Sequence, residues 1–316
     1  MIPADPVETR HLSIPAEHAG RRLDQSLAEL LPEYSRSRIQ AWIDAGLVQV
    51  INANPNVNAH ASRKLKVWGG ETVSVEAEAH PAELPYQAEA IALSIVYEDD
   101  AILVLDKPAG LVTHPGAGNW QGTLLNALLH HVPGATTLPR AGIVHRLDKD
   151  TSGLMVVAKT LEAQTQLVRD LQARTVKRVY WAVALGRIQP AEGSIEAPIG
   201  RHPTQRVKMA VVEEGRGKPA LTHYQVLRQF AEFAWVECRL ATGRTHQIRV
   251  HMAHIGHPLL GDPVYAGRRR SPIAFSRQAL HAVRLGLVHP STGEAMEWQA
   301  PPPEDFAGLL RELENI

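Results

Sequence analysis

The stretch "GIVHRLDKDTSGLMVVAKT", residues 142–160, sets two bases and two acids between apolar residues. "GLMVVA" is a continuous apolar run bounded by turn residues, the signature of a short strand buried on both faces. The preceding "GIV" reads as the end of another, so HRLD (145–148) is expected in a loop between buried strands, where a rigid scaffold presents side chains. An acid in such a place is costly unless it is paired or used. Asp148 is therefore the catalytic candidate. Asp150 opens Asp-Thr-Ser-Gly, ordinary turn chemistry, and suits a turn role better.

Working outward, residues 91–316 read as α+β with much antiparallel strand. "LSIVYEDDAILVLDKPAGLVTHPG" predicts two strands around an acidic turn and then a loop, and "GTLLNALLHHV" predicts a helix. "LEAQTQLVRDLQAR" is an amphipathic helix with Leu161, Leu167 and Leu171 among its apolar positions, and "KRVYWAVALGRI" returns to strand. Further helices are expected at "RTHQIRVHMAHIG" and "PEDFAGLLRELENI". Upstream, residues 20–80 read as a small unit of two helices followed by strands. Ser35 is a plausible N-cap, Gly46 a stop, and "LVQVI" and "ETVSVEAE" alternate apolar with polar residues. The segments 1–19 and 81–90 are expected as an N-terminal extension and a linker.

With 44% hydrophobic and 21% charged residues, the 316-residue chain has an ordinary globular composition. No apolar run approaches the roughly 18 residues of a membrane span. The start of the chain lacks the basic and apolar regions of a secretory signal, and there is one cysteine, Cys238, in the alternating strand "FAWVECRL". The expectation is a cytoplasmic protein with a buried structural thiol. Net charge is zero, 33 basic residues against 33 acidic. It is segregated: residues 141–290 hold 22 Lys and Arg against 11 Asp and Glu. A basic surface concentrated around the motifs is the footprint of a nucleic-acid binder. Arg36 and Arg38 open the second helix, where free backbone N–H groups already favour phosphate, so they are candidates for RNA docking.

Residues 20–80 resemble the S4 RNA-binding domain. HRLDKDTSGL, "KRVYWAV" about thirty residues on and "TGRTHQIRVHMAHIGHPLLGDPVY" further down resemble, in order, the motifs of the RluA family of pseudouridine synthases. "VLDKPAGLVTHPG" and "ALHAVRLGLVHPSTGEAMEW" match the same family, and the S4 segment places the likeness nearest its RluD-type branch. The resemblance implies a catalytic domain on a mixed, largely antiparallel sheet with flanking helices. It implies isomerisation of uridine in large-subunit ribosomal RNA, with the hairpin loop at the subunit interface as the expected target, and no cofactor or metal. The expected partner is that RNA or a ribosomal precursor particle, bound by a monomer.

The resemblance also assigns roles. Asp148 carries the essential carboxylate. Arg249 in "THQIRVH" is its partner, whose planar fork suits a bidentate carboxylate contact. Tyr180 in "KRVYWAV" stacks on the target base. Arg146, with His145 beside it, takes part in flipping the uridine out of its stack, since a guanidinium can both stack and hold phosphate. Lys177, Arg244 and His246 are expected RNA contacts. His246, His251, His254 and His257 crowd one segment, but Arg244 and Arg249 among them would repel a cation, and packing or RNA contact is the reading. The run Arg268–Arg270 is expected as a solvated or phosphate-facing loop. Two departures concern docking: the Asn-rich connection after "LVQVI" is long for an S4 module, and the loop after GDPVY is short. A different class, an assembly factor that binds ribosomal RNA with dispensable catalysis, is opposed by the intact Asp148, Tyr180 and Arg249. A hydrolase of the usual kind would want two cooperating carboxylates.

Overall fold

The computed structural model describes residues 8–51, 61–77, 86–116, 118–205, 208–267 and 271–315. The chain divides into two compact units, residues 1–85 and 86–316. The Asn-rich connection, the first half of the expected linker (81–85) and Arg268–Arg270 lie outside the described residues.

In the first unit, strand β1 (Glu8–Ser13) precedes helices α1 (Leu23–Leu30) and α2 (Arg36–Asp44) and strands β2 (Val48–Ile51) and β3 (Thr72–Ala77). The sheet order is β1-β3-β2, all antiparallel. Ser35 caps α2 by accepting from the Arg38 N–H at 3.3 Å, and Gly46 ends it at φ 77°. Leu23, Leu27, Ile39, Trp42 and Ile43 pack against Val48, Val73 and Val75 in one core. The separate extension expected over 1–19 is corrected here: β1 pairs along its whole length with β3. "ETRHLS" alternates too weakly to announce a strand, because as an edge it packs little more than Leu12 on the core.

The second unit is built on β4 (Ile95–Glu98), β5 (Ile102–Lys107), helix α3 (Leu124–His131), β6 (Ser152–Ala158), helix α4 (Leu161–Ala173), β7 (Lys177–Leu185), β8 (Glu192–Glu196), β9 (Ile199–Arg201), β10 (Met209–Val211), β11 (Leu221–Gln229), β12 (Phe233–Leu240), helix α5 (Gln247–His254), β13 (Leu280–Val288), β14 (Ala295–Gln299) and helix α6 (Glu304–Glu314). Nine strands form one sheet in the order β4-β5-β6-β13-β7-β12-β11-β8, with β14 beside β13. Every pair is antiparallel except β13 with β6. The sheet is mixed and largely antiparallel, as expected.

Alternation distributes β5 and β6 between two cores. Leu103, Leu105, Met155 and Val157 join the core that contains Tyr180 and α5. Ile102, Val104, Leu154 and Val156 join the one beneath α4. Burial on both faces explains the unbroken apolar run of β6, each large side chain contributing about 1.5–3 kcal/mol. Two expectations are corrected. Leu161, at the first turn of α4, is exposed, and residues 142–144 form no strand but one antiparallel bridge, Ile143 to Val157. Among the described residues, no helix is long and apolar enough to cross a membrane.

Candidate active site

HRLDKD leaves the sheet between two glycines that admit no other residue. A Cβ on Gly142, at φ 81°, would lie 1.9 Å from the Ala158 carbonyl oxygen, and one on Gly153, at φ 116°, 2.3 Å from that of Ala282. Between them the loop's backbone oxygens are tied down one by one. Thr113 Oγ1 donates to Leu147 O at 2.9 Å, and the Thr151 N–H closes the turn on Asp148 O at 3.1 Å. Lys107 Nζ donates to Lys149 O at 3.0 Å and Arg277 Nη1 to Asp150 O at 3.0 Å. Lys107, fully buried in β5, also donates to Pro108 O and Leu111 O at 2.7 and 2.9 Å, while burial pulls its ammonium down to about 7. A loop so held presents Asp148 at fixed aim.

Asp148 reaches Arg249 of α5, whose Nη1 donates to Oδ2 at 3.0 Å. The bidentate contact expected here belongs instead to Asp262 of the GDPVY segment. Arg249 Nε and Nη2 donate to its two oxygens at 2.7 and 2.9 Å, which leaves one edge of the fork for Asp148. Asp262 Oδ1 accepts as well from the Val264 and Tyr265 N–H groups. Burial works against the Arg249 charge, but the hydrogen bonds and charge of Asp262, then Asp148, outweigh it and hold its pKa above the ordinary value. Tyr265 lies below the guanidinium, its ring centre 5.1 Å from Cζ. Its hydroxyl accepts from the Met209 N–H at 3.0 Å and shares a hydrogen bond with His246 Nδ1 at 2.9 Å. His246 Nε2 then faces Asp148 Oδ1, 3.9 Å away, and burial holds that imidazole below its usual pKa.

Asp148, His246 and Arg249 line a cavity of about 530 Å³, within the range of small-ligand sites. Arg140, Arg146, Arg174, Arg178, Arg244 and Arg249 contribute guanidinium groups, and Asp148 is the one acid of the lining. Tyr180 lies in its wall, buried, and burial raises the phenol pKa. Arg146 is exposed at the cavity, and Arg244 lines it while donating through Nε to Pro219 O at 3.1 Å. His114, in the same lining, is held near 4 by burial and by Arg146 and Arg140, so it stays neutral.

Other expected site residues are placed differently. His145 lines the cavity, but its Nε2 accepts the Val156 N–H at 3.0 Å, and burial pushes it down to about 3. Its Nε2 is thus a scaffold acceptor for β6. Lys177 is exposed, with Nζ 3.8 Å from Glu297, and is absent from the lining, where its neighbour Arg178 sits. In the first unit, Arg36 bonds Asp24 through Nε and Nη2, and Arg38 lies 4.8 Å over the Tyr34 ring and 5.0 Å over that of Trp42. Asp262, Tyr265, Lys107 and Arg178 were not foreseen. Of these, Arg178 had a signal: it shares the face of β7 with Tyr180, two residues on.

The histidine-rich segment is scaffold as well. His251 Nε2 donates to Ala197 O and Nδ1 accepts from Thr222 Oγ1, while His257 Nδ1 donates to Leu185 O. Among the described residues, no group of three or more His, Cys, Asp or Glu is placed to hold a metal ion. Cys238 is buried in β12, its thiol pushed up to about 12.

Residues 101–254 match the sequence model of a family described as RNA pseudouridylate synthase, and residues 21–50 match that of the S4 domain. The chain is 54% identical over 314 residues to the ribosomal large subunit pseudouridine synthase D of Nitrosomonas europaea, covering 98% of this chain and 89% of that one. It is 53% identical over 319 residues to the protein of the same name in Haemophilus influenzae, covering 98% and 96%. Among solved structures, human RNA pseudouridylate synthase domain containing 1 aligns with a TM-score of 0.54 at 28% identity, covering 72% of this chain and 97% of that one.

Proposed function

The chain belongs to the RNA pseudouridylate synthase family, and from that premise we propose that it isomerises uridine to pseudouridine in large-subunit ribosomal RNA. In this reaction the bond from uracil N1 to ribose C1′ breaks and one from C5 to C1′ forms; a proton leaves C5 and one is taken up at N1. The observation that carries the reading is the Asp148–Arg249–Asp262 chain, which sets Asp148 as the one acid among six arginines in the lining of a cavity. Asp262 fixes the guanidinium, the guanidinium aims the carboxylate, and Asp148 acts on the ribose carbon from which uracil departs. Attack on C1′, stabilisation of an oxocarbenium-like centre and removal of a ribose proton all use this one placement.

The target uridine must first leave its stack, at a cost of a few kcal/mol. Arg146, exposed beside Asp148, fills the vacated place, and Tyr180 offers its ring face to the uracil. Arg36 and Arg38 of the S4 unit contact the RNA backbone. The proposed target is the hairpin loop at the subunit interface, in free RNA or in a precursor particle of the cytoplasm, with the enzyme acting as a monomer.

The test is tritium release from RNA labelled at uridine C5. Asp148→Asn should abolish release and retain RNA affinity within a few fold. Tyr180→Phe, which keeps the ring but lacks the hydroxyl that takes part in removing the C5 proton, should retain binding and lose turnover. Undiminished release by Asp148→Asn would refute the assignment.

A further inference from the structure

Four Lys or Arg side chains are buried among the described residues: Lys107, Arg178, Arg249 and Arg277. Three are fully engaged. Lys107 donates to three carbonyls, Arg249 to two carboxylates, and Arg277 to Asp305 and to backbone oxygens of its surroundings. Arg178 differs. It is 7% exposed, its Nε finds no hydrogen-bond partner, and no carboxylate of the described residues pairs with it. Removing an ion from water without a counter-ion costs several kcal/mol, and that burial is felt as a lowered Arg178 pKa.

The local structure makes room for this cation. Arg178 lies two residues before Tyr180, on the same face of β7, and both line the catalytic cavity. Across from it, a Cβ on Gly243 would meet Arg178 Nη1 at 2.6 Å, so the guanidinium rests in space that a side chain at 243 would contest. The neighbouring Arg174 and Arg244 add charge of the same sign. Asp148, the one acid of the lining, is already paired with Arg249.

We infer that Arg178 is the receptor for a backbone phosphate next to the flipped uridine, holding its non-bridging oxygens so that the ribose is set between Asp148 and Tyr180. This rests on the pseudouridylation reading. A phosphodiester supplies the missing negative charge and two acceptors that match the planar fork. A uracil carbonyl supplies an acceptor but no charge.

The experiment joins one substitution to one atomic change in the RNA. Wild-type protein and Arg178→Met are compared on oligonucleotides carrying a neutral methylphosphonate on the 5′ or the 3′ side of the target uridine, reading Kd and single-turnover rate separately. One of the two linkages should cost the wild type about 10- to 100-fold, the range of a charge-assisted hydrogen bond. Arg178→Met should lose a similar factor on unmodified RNA and nothing further on that methylphosphonate. Equal methylphosphonate penalties in both proteins at both linkages would overturn the inference, as would a penalty that follows replacement of a uracil oxygen instead. Because affinity is read apart from product, a protein that senses the phosphate yet makes no pseudouridine would fail the catalytic reading and sustain this one. A fold control separates binding from structure. Replacing an unpaired buried cation by an apolar side chain of similar length should leave the RNA-free melting temperature unchanged or raise it. A lowered melting temperature would mark Arg178 as structural and overturn the inference.

Discussion

Asp262→Asn exchanges one oxygen for an amide nitrogen and isolates the support of the Asp148–Arg249 pair. Asp262 accepts four hydrogen bonds, from Arg249 Nε and Nη2 and from the Val264 and Tyr265 N–H groups. An asparagine that keeps Oδ1 toward Nη2 and the two backbone donors must set its own N–H groups against Arg249 Nε, where the wild-type distance is 2.7 Å. The opposite rotamer repairs that contact and sets two donors against the backbone. Either way a buried guanidinium loses its principal counter-charge, and breaking a buried pair costs about 3–5 kcal/mol. The remaining bond to Asp148 moderates this, so about 3 kcal/mol is expected. At about 2–4 °C per kcal/mol for a unit of this size, the melting temperature should fall by about 6–12 °C in calorimetry. The double variant Arg249→Met with Asp262→Asn should be more stable than the sum of the single losses by about 1–3 kcal/mol, since the second change removes a partner already absent. A melting temperature within about 2 °C of wild type, or strict additivity in the double variant, would refute this account of how Arg249 is held.

Three further outcomes follow from the geometry. His145 is neutral in the fold until about pH 3, whereas an unfolded imidazole takes up its proton near 6.5, so its contribution is complete above 6.5 and is lost as pH falls toward 3. Between pH 6.5 and 5, urea titrations should show the wild type losing about 1–2 kcal/mol more than His145→Asn, since His114 and the other buried imidazoles contribute alike to both, and parallel curves would contradict the assignment. Gly153→Ala should destabilise by more than about 3 kcal/mol or prevent folding, because its Cβ meets the Ala282 backbone where β6 runs parallel to β13. Circular dichroism during denaturation measures this, and a wild-type midpoint would sink it. RNA affinity should fall with salt at a log–log slope of about −0.7 per phosphate contact, and Arg146→Ala and Arg244→Ala should each flatten it by about that amount.

What could be read from the sequence, and what could not, divides along the range of the interactions. Ser35 and Gly46 mark α2 because caps act within one turn, and β6 is legible because burial on both faces leaves an unbroken apolar run. Edge strand β1 carries half of that signal or less. Within HRLD the catalytic acid is suggested by its setting, yet the partner of its partner is not: Asp262 sits in "GDPV", which reads as a turn, and only the tertiary fold brings it under Arg249. Strand register settled Lys177 against Arg178. A one-residue shift exchanges the two faces of a strand, so of two adjacent bases only one lines the cavity. The order of the motifs along the chain does not reveal which.

Backbone strain lies beyond sequence propensity for a related reason. Four non-glycine residues among those described have positive φ: Arg140 at 54°, Ala141 at 51°, Arg174 at 63° and His246 at 57°. Each such conformation costs about 1–2 kcal/mol in a residue with a Cβ. Three of the four, Arg140, Arg174 and His246, line the cavity that holds Asp148. Glycine would remove the strain at all of them, as it does at Gly142 and Gly153, where the neighbouring backbone leaves no space for a side chain. At the three cavity positions the left-handed residue carries a side chain that lines the cavity, two guanidinium groups and the imidazole that faces Asp148, and at Arg174 the same conformation closes the C-terminus of α4, its N–H meeting the Asp170 and Leu171 carbonyls. The backbone there retains a conformation that its residue types disfavour, and strain of this kind is characteristic of ligand sites.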